Sequence, residues 1–467
     1  MTAPTEKPRV AIIGGGISGL STLHFLKRKL ADNASIQLYE ADSRLGGTIG
    51  SDRVDGYVCD WGPNGFLDRV PLTLQLVEEL GLQDKLRPAN PQADNRFIYR
   101  HKRLHAISAS PIKFMTSSLL SLRGRLRVTM EPLIKPKRDG ADESVFDFAA
   151  RRIGREAAEA MIDPMVSGIF GGDAKAVSLR SCFPVMEEME RNYGSLFKAM
   201  LAKNKSGKNA GPAGPSGRLT SFDNGLYTII ERFHKLYGDQ IQKDSPVERI
   251  IKTPQGYQVE FSGKPSETFS AVVLATPAFA AAQILRDADR QLSDLLNQIP
   301  YASLAVCCFG YSGDKRAREL DGFGFLVPRN EGKRILGSIW TSSIFQDQAP
   351  AGQVLLRSMI GGYTDPAAVQ LTDDELAPLV HGELTAILGL QTRPAFVRIF
   401  RYDKGIPQFT LGHSDRLQQI DQRLSTLPGI YLASNAYSGI GLNDCVTKAL
   451  ESAEKLVTHL QASLTCS

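Results

Sequence analysis

VAIIGGGISGLSTLHFLKRKL, Val10 to Leu30, decides the fold. Arg9 to Ile13 is a short apolar run that stops at glycines. From Ser18 to Leu30 the apolar residues recur at helical spacing, with basic residues at the end. Ile36 to Glu40 reads as a second strand, which completes a βαβ unit. Gly14, Gly16 and Gly19 stand at G-x-G-x-x-G spacing between strand and helix. The first permits a tight turn, the second lets a pyrophosphate approach the backbone, and the third lets helix pack on strand. The amides and dipole of a helix starting near Ser18 favour phosphate. Glu40 ends the second strand at the position from which an acid hydrogen-bonds a ribose hydroxyl. Motif, context and acid together predict a bound dinucleotide; the glycines alone would also fit a tight turn with no ligand.

The chain of 467 residues is too long for one ordinary core, and at roughly 150 residues per domain it predicts two or three. An apolar share of 42% and a charged share of 22% are ordinary for a soluble globular protein, and 42 Gly with 25 Pro fit the many turns of an α/β enzyme. The formal charge of +5 is mild and no long run of Lys and Arg occurs, so nucleic acid is not the expected partner. Cys59, Cys182, Cys307, Cys308, Cys445 and Cys466 contain no C-x-x-C pair and make no disulfide framework, which fits a reduced, cytoplasmic protein. The N-terminal apolar run reads as a buried strand and not as a secretion signal, and no stretch reaches the roughly 18 apolar residues of a spanning helix.

A glycine-rich patch, RLGGTIGSDRVDGYVCDWGPNG, follows the βαβ unit, then a short amphipathic helix in LTLQLVEELG. Pro111 to about Lys203 reads as mainly helical, and Lys203 to Gly217, KNKSGKNAGPAGPSG, has the composition of a mobile loop. Beyond it come a helix in GLYTIIERFHKLYG, a hairpin in SPVERIIKTPQGYQVEFSG and a buried strand in AVVLATP. From about Ala302 to Arg401 β-like runs alternate with one helix, DDELAPLVHGELTAILG, and the chain ends in strand, turn and helix: GIYLAS, NAYSGIGLND, CVTKALESAEKLVTHLQ. The expected fold class is α/β. A Rossmann-like nucleotide-binding domain is built from separated segments, 1–90, 218–300 and 401–467, and a mixed-sheet substrate domain from 91–110 and 301–400. A helical insertion spans 111–202, and the loop 203–217 follows it.

Arg44-Leu45-Gly46-Gly47 directly after Glu40 makes E-x-x-x-R-x-G-G, which resembles the FAD-binding signature of the amine-oxidase-like flavoproteins. That resemblance selects FAD over NAD. A flavoenzyme using NADPH through its own Rossmann domain would need a second GxGxxG, and none is present, so electrons are expected to leave to O2. GPNGF, NRFIYRHKRLHAIS, PMVSGIFGGDAKAVSLRSCFP, GIPQFTLGH and YSGIGLNDC occur in one order along the chain. They resemble the FAD-dependent protoporphyrinogen oxidase family of haem biosynthesis, with SGIFGGD and the C-terminal G-x-x-x-N-D-C the most specific. The resemblance implies that Gly14, Gly16, Ser18, Gly19, Glu40, Arg44, Gly47 and Thr48 hold the adenosine and pyrophosphate of a non-covalent FAD. It places Gly62, Pro63, Asn64 and Gly65 near the isoalloxazine, Val247 beside the adenine, and Ile440, Gly441 and Leu442 at the ribityl and pyrophosphate. Tyr402 stands where the family commonly has Trp, keeping an aromatic contact of different shape.

For substrate, the family pattern points to Arg96, Met165, Gly168 and Met359. A guanidinium can pair bidentately with a porphyrinogen propionate, a glycine leaves room for a pyrrole ring, and methionines pack softly on a large flexible macrocycle. Read without the resemblance, Arg96 is a surface charge and the methionines are ordinary core residues. No catalytic side chain is expected: a saturated meso carbon gives hydride to flavin N5, pyrrole protons leave to solvent, and three rounds with O2 yield porphyrin and hydrogen peroxide. His101 and His105, in the basic stretch HKRLH, read as part of a solvated strand or turn, and no metal site is expected. Pro111 to Arg138 mixes Ile112, Phe114, Met115, Leu119 and Leu120 with Lys113, Arg123, Arg125, Arg127, Lys135, Lys137 and Arg138. That blend suits a solvated face or an anionic membrane surface, and the resemblance favours peripheral attachment to the inner face of the membrane. The residues neither demand nor exclude a homodimer, and Arg96 alone does not separate protoporphyrinogen IX from coproporphyrinogen III. The remaining alternatives are an amine oxidase or desaturase of the same fold and a non-catalytic protein that retains it.

Overall fold

The computed structural model of the protein describes residues 7–108, 111–205 and 217–465. Most of the stretch expected as a mobile loop, 203–217, lies outside the described residues; the helix Leu196–Lys205 runs into its first positions. A five-stranded parallel sheet has the order Ile241–Gln242, Ser35–Tyr39, Arg9–Ile13, Ala271–Leu274, Ile430–Leu432. Parallel strands are covered on both faces, which is why Ala271–Leu274 is apolar and buried throughout. One face carries the first helix, Ile17–Leu30, and the last, Leu442–Thr465, in a shared core with Val10, Ile12 and Val273. The other face carries the antiparallel strands Val247–Thr253, Gly256–Phe261 and Lys264–Phe269 and the helices Ala278–Ile284 and Arg290–Asn297. The expected α/β class holds, with one sheet drawn from the beginning, middle and end of the chain.

A seven-stranded sheet has the order Phe396–Pro407, Tyr301–Ser312, Gln353–Gly361, Ile335–Ile339, Gly324–Leu326, Arg96–Arg100, Arg103–Ala106. Its pairs are antiparallel except Gly324–Leu326 with Arg96–Arg100. The helix Asp373–Leu388, begun by a Thr372/Glu375 capping box, lays Leu376, Val380 and Leu384 on one face against Ala305, Cys307 and Ile360. The opposite face presents Leu304, Val306, Cys308, Met359 and Phe400 to Tyr57 and Cys59. Register partners share a face, so Leu326, Gly337, Met359, Val306 and Phe400 form one row across the sheet. The next row holds Arg96, Gly324, Ile339, Arg357 and Cys308. This wall positions the site.

Residues 111–205 fold mainly as helices, among them Leu122–Thr129, Val145–Ile153, Asp163–Phe170 and Pro184–Tyr193. They are tied by the buried Arg152, which pairs with Glu131 and Glu190. Glu131 also accepts from the Ser195 hydroxyl (2.6 Å) and from the amides of Leu196 (2.9 Å) and Phe197 (3.3 Å), at the start of the following helix. Burial pushes its carboxyl up, but these bonds and Arg152 outweigh burial and hold it below the usual range. His105 departs from the solvated position expected for it. His101 and Lys102 take positive φ in a two-residue turn, and the strand beyond points His105 inward, where Nε2 lies 3.0 Å from the Arg100 carbonyl. Among the described residues no helix is long and apolar enough to cross a membrane.

Candidate functional site

The glycine turn meets the requirements of a dinucleotide. Gly14 has φ +107°, and a Cβ there would lie 2.8 Å from the Ala275 carbonyl oxygen; one on Gly19 would run into the Gly14 carbonyl. Gly16 differs, since a Cβ there would meet nothing within 4 Å. It begins the first helix with no side-chain cap, and no acid occupies the first turn. The first-turn amides therefore have no capping side chain, the positive end of the helix lies behind them, and with the open space beside Gly16 the cradle fits a pyrophosphate. The Arg44–Thr48 loop closes on the cradle: the Gly46 amide donates to the Gly15 carbonyl (2.9 Å), and a Cβ on Gly47 would come no nearer than 3.7 Å to Gly16. Thr48 is exposed beside it.

Three of the expected cofactor contacts are already engaged with the protein. Glu40, just past the strand Ser35–Tyr39, accepts from the amides of Gly15 (2.5 Å) and Asp42 (2.9 Å), keeping its other lone pairs for a hydroxyl. Arg44 donates to the carbonyls of Leu45 and Ile49, also to that of Gly47, and lies over the Trp61 ring at 4.4 Å. Ser18 is buried against the last helix, where burial pushes the Cys445 thiol up to about 11. Val247 begins its strand two residues after Ser245, whose amide donates to the Glu40 carbonyl (2.8 Å).

Gly62, Pro63, Asn64 and Gly65 run between Thr48 and the wall. A Cβ on Gly62 would strike the Thr48 carbonyl and one on Gly65 would lie 2.7 Å from that of Thr220, so only glycine fits either place. Asn64 Nδ2 is buried without a hydrogen-bond partner among the described residues, a donor left for a ligand. The Tyr402 hydroxyl approaches the Thr48 carbonyl at 3.5 Å, and burial pushes its pKa up to about 12. The last turn closes the same region: Asn443 donates to the Leu67 carbonyl (2.8 Å), the Gly441 amide donates to Asp444 (3.0 Å), Leu442 is buried, and Ile440 packs against the helical part.

The wall brings three of the four expected substrate residues together. Met359 stands in the same row as Leu326, and a Cβ on Gly168 would strike the Leu326 side chain, so the helix Asp163–Phe170 lies against that row. Arg96 is exposed in the neighbouring row, stacked over Phe323 at 4.9 Å and without an ion pair among the described residues. Met165 instead packs on the helical core with Val166 and Phe170. Sequence reading missed several supports. Arg329 pairs with Asp163 and Asp173, each at 3.2 Å, and donates to the Gly172 carbonyl, pinning the SGIFGGD turn. Trp61 stacks on Phe400 at 5.3 Å. Arg357, buried in VLLRSMIGG, donates to the carbonyls of Asp60 (3.1 Å) and Gly62. A lone charge in an apolar strand was the available signal.

The profile of flavin-containing amine oxidoreductases matches residues 17–457. The chain belongs to this family. It is 30% identical to a coproporphyrinogen III oxidase of Staphylococcus aureus, over 97% of this chain and 99% of that protein. It is 31% identical to a chloroplastic protoporphyrinogen oxidase of Oryza sativa subsp. japonica, over 96% and 88%. A crystal structure from Exiguobacterium sp. 255-15, described as a candidate protoporphyrinogen oxidase, superposes with a TM-score of 0.84 at 28% identity, covering 98% of this chain and 99% of that one. The resemblance read from the motifs therefore stands: this family member is a flavin-dependent oxidoreductase, and its cofactor is FAD.

Proposed function

We propose that the protein oxidises protoporphyrinogen IX to protoporphyrin IX in three successive two-electron steps, with O2 as final acceptor and hydrogen peroxide released. The observation that supports this is the wall on which Arg96, Met359 and the Leu326–Gly168 contact converge beside the Gly62–Gly65 segment. FAD, when bound, supplies the two-electron acceptor and its reoxidation by O2. Arg96, placed over the Phe323 ring and free of carboxylates among the described residues, takes a propionate. Met359 and the apolar row around it pack on the macrocycle and exclude water, while the bare Gly168 lets the helix Asp163–Phe170 close onto Leu326 in that row, where a pyrrole space was expected. Pyrrole protons pass to solvent, so no acid–base pair is required of the chain.

The match over 99% of a relative named coproporphyrinogen III oxidase favours a second reading, the same chemistry on coproporphyrinogen III, whose extra propionates call for cations besides Arg96. Comparing kcat/KM for the two porphyrinogens in air and without oxygen tests substrate, flavin and acceptor together; turnover of neither would overturn the proposal. In this reading the protein rests on the anionic inner face of the membrane through the helical part, where Leu122 (71% exposed), Leu126 (58%) and Leu133 (76%) lie among Arg123, Arg127 and Lys135.

A further inference from the structure

We infer that Arg357 is a positioning residue of the reaction, seating the Asp60–Gly62 turn and keeping a fixed positive charge, with its Nη1 amino group uncommitted among the described residues, beside the bound flavin. The inference rests on the flavoenzyme reading and not on which porphyrinogen is oxidised. Arg357 sits in the strand Gln353–Gly361, between Ile339 and Cys308 on neighbouring strands, and only 4% of it is exposed. A guanidinium taken out of water is costly unless its donors are used and its charge is answered. Nε and Nη2 are spent on the carbonyls of Asp60 and Gly62, 297 and 295 residues away in sequence. Nη1 makes no hydrogen bond among the described residues.

The charge itself has no ion pair among the described residues. Asp60 is the nearby acid, but its Oδ1 accepts from the Ser51 hydroxyl (2.6 Å) and the Leu226 amide (3.0 Å), and its Oδ2 has no hydrogen-bond partner among the described residues. Burial pushes the Asp60 carboxyl up, against the pull of Ser51, Leu226 and Arg357, so the anion that would answer Arg357 is itself disfavoured. Arg357 shares its sheet face with Met359, and its charge reaches the Tyr402 phenol. It therefore stands on the side of the wall that faces Gly62–Gly65. A pin for two carbonyls needs only donors; a buried charge with a spare N–H also favours the electron-rich, reduced form of a flavin placed there.

The test uses purified holoenzyme and Arg357→Met, Arg357→Lys and Arg357→Gln, with FAD content, the two-electron midpoint potential, kcat and KM measured for each. Arg357→Met is expected to keep FAD while its preference for the reduced flavin weakens about tenfold, a fall of about 30 mV for a two-electron couple. Its kcat should fall by a similar factor with KM little changed. Lys, which keeps the charge, should restore most of the potential; Gln, which keeps a donor without charge, should not. A Met or Gln holoenzyme with wild-type potential and kcat overturns the inference. If the Met variant does not fold, equal potentials in the Lys and Gln variants overturn it equally well. The potential is read by chemical reduction without substrate, so a wild-type protein that holds FAD but turns over no porphyrinogen would sink the substrate reading and leave this test intact.

Discussion

At single residues, the two kinds of glycine in the cradle separate folding from binding. Gly14 needs a positive φ and has no room for a methyl, so Gly14→Ala strains the backbone and should cost about 1–3 kcal/mol in urea unfolding of the apoprotein. Gly16 has φ −74° and open space around its missing Cβ. Gly16→Val should therefore leave apoprotein stability nearly unchanged while FAD retention falls at least about tenfold, because the side chain fills the approach of the pyrophosphate. Full flavin occupancy in that variant would remove the cradle from the cofactor site. A further residue-scale effect lies at His413, which stacks on Phe409 at 4.4 Å and is 1% exposed, with neither ring nitrogen hydrogen-bonded among the described residues. Burial, reinforced by Arg416, pushes its pKa from 6.5 down to about 4. The unfolded chain binds a proton below 6.5 that the folded chain refuses until about 4, so stability falls as pH drops through that window. At pH 5 the loss relative to pH 7 should be about 2 kcal/mol. A His413→Phe variant should lack that component, and an identical pH profile in variant and wild type would contradict it.

At the scale of elements, the helical part depends on one buried charge network. Removing only the cation, in Arg152→Met, leaves Glu131 and Glu190 buried without it and should destabilise the fold by about 3–5 kcal/mol by chemical unfolding. The flavin absorbance of whatever fraction stays folded should be unchanged, since the partners of Arg152 all lie within the helical part and its connecting turns. Elements of this kind were legible where their causes are local. The βαβ unit follows from glycine spacing and apolar period, and its helix starts at Ile17, one residue before the expected Ser18. The last helix begins at Leu442, three residues before the expected Cys445, because the Gly441 carbonyl already accepts the Cys445 amide at 3.1 Å. What stayed hidden was pairing between distant strands. Nothing local to VLLRSMIGG says that Arg357 reaches the Asp60 and Gly62 carbonyls, nor that Gly168 will meet Leu326. His105 was misread for the same reason: its strand looks polar in sequence, and only the sheet's packing turns the ring inward.

For the whole molecule, both chain ends serve one sheet. The first and last helices share a core over Arg9–Ile13 and Ala271–Leu274, and the middle of the chain is carried outward as the wall and the helical part. The large apolar side chains left exposed concentrate on that outward part: Met115, Leu122, Leu126, Met130 and Leu133, with Ile169, Val185, Tyr193 and Leu201. Single exposed apolar residues need no explanation, but a run of them beside Arg123, Arg127 and Lys135 fits insertion into the headgroup layer, where leucines bury and cations meet anionic lipid. None of these leucines belongs to the wall, so binding and turnover should separate. The double variant Leu126→Glu, Leu133→Glu removes apolar area and adds two negative charges against the bilayer. It should lose at least about tenfold of its affinity for anionic vesicles in pelleting at low salt, while kcat/KM on detergent-dispersed porphyrinogen stays within about twofold of wild type. Equal pelleting of variant and wild type would assign those leucines to a different contact. A parallel loss of turnover would mean instead that the surface forms part of the route by which substrate reaches Arg96 and Met359.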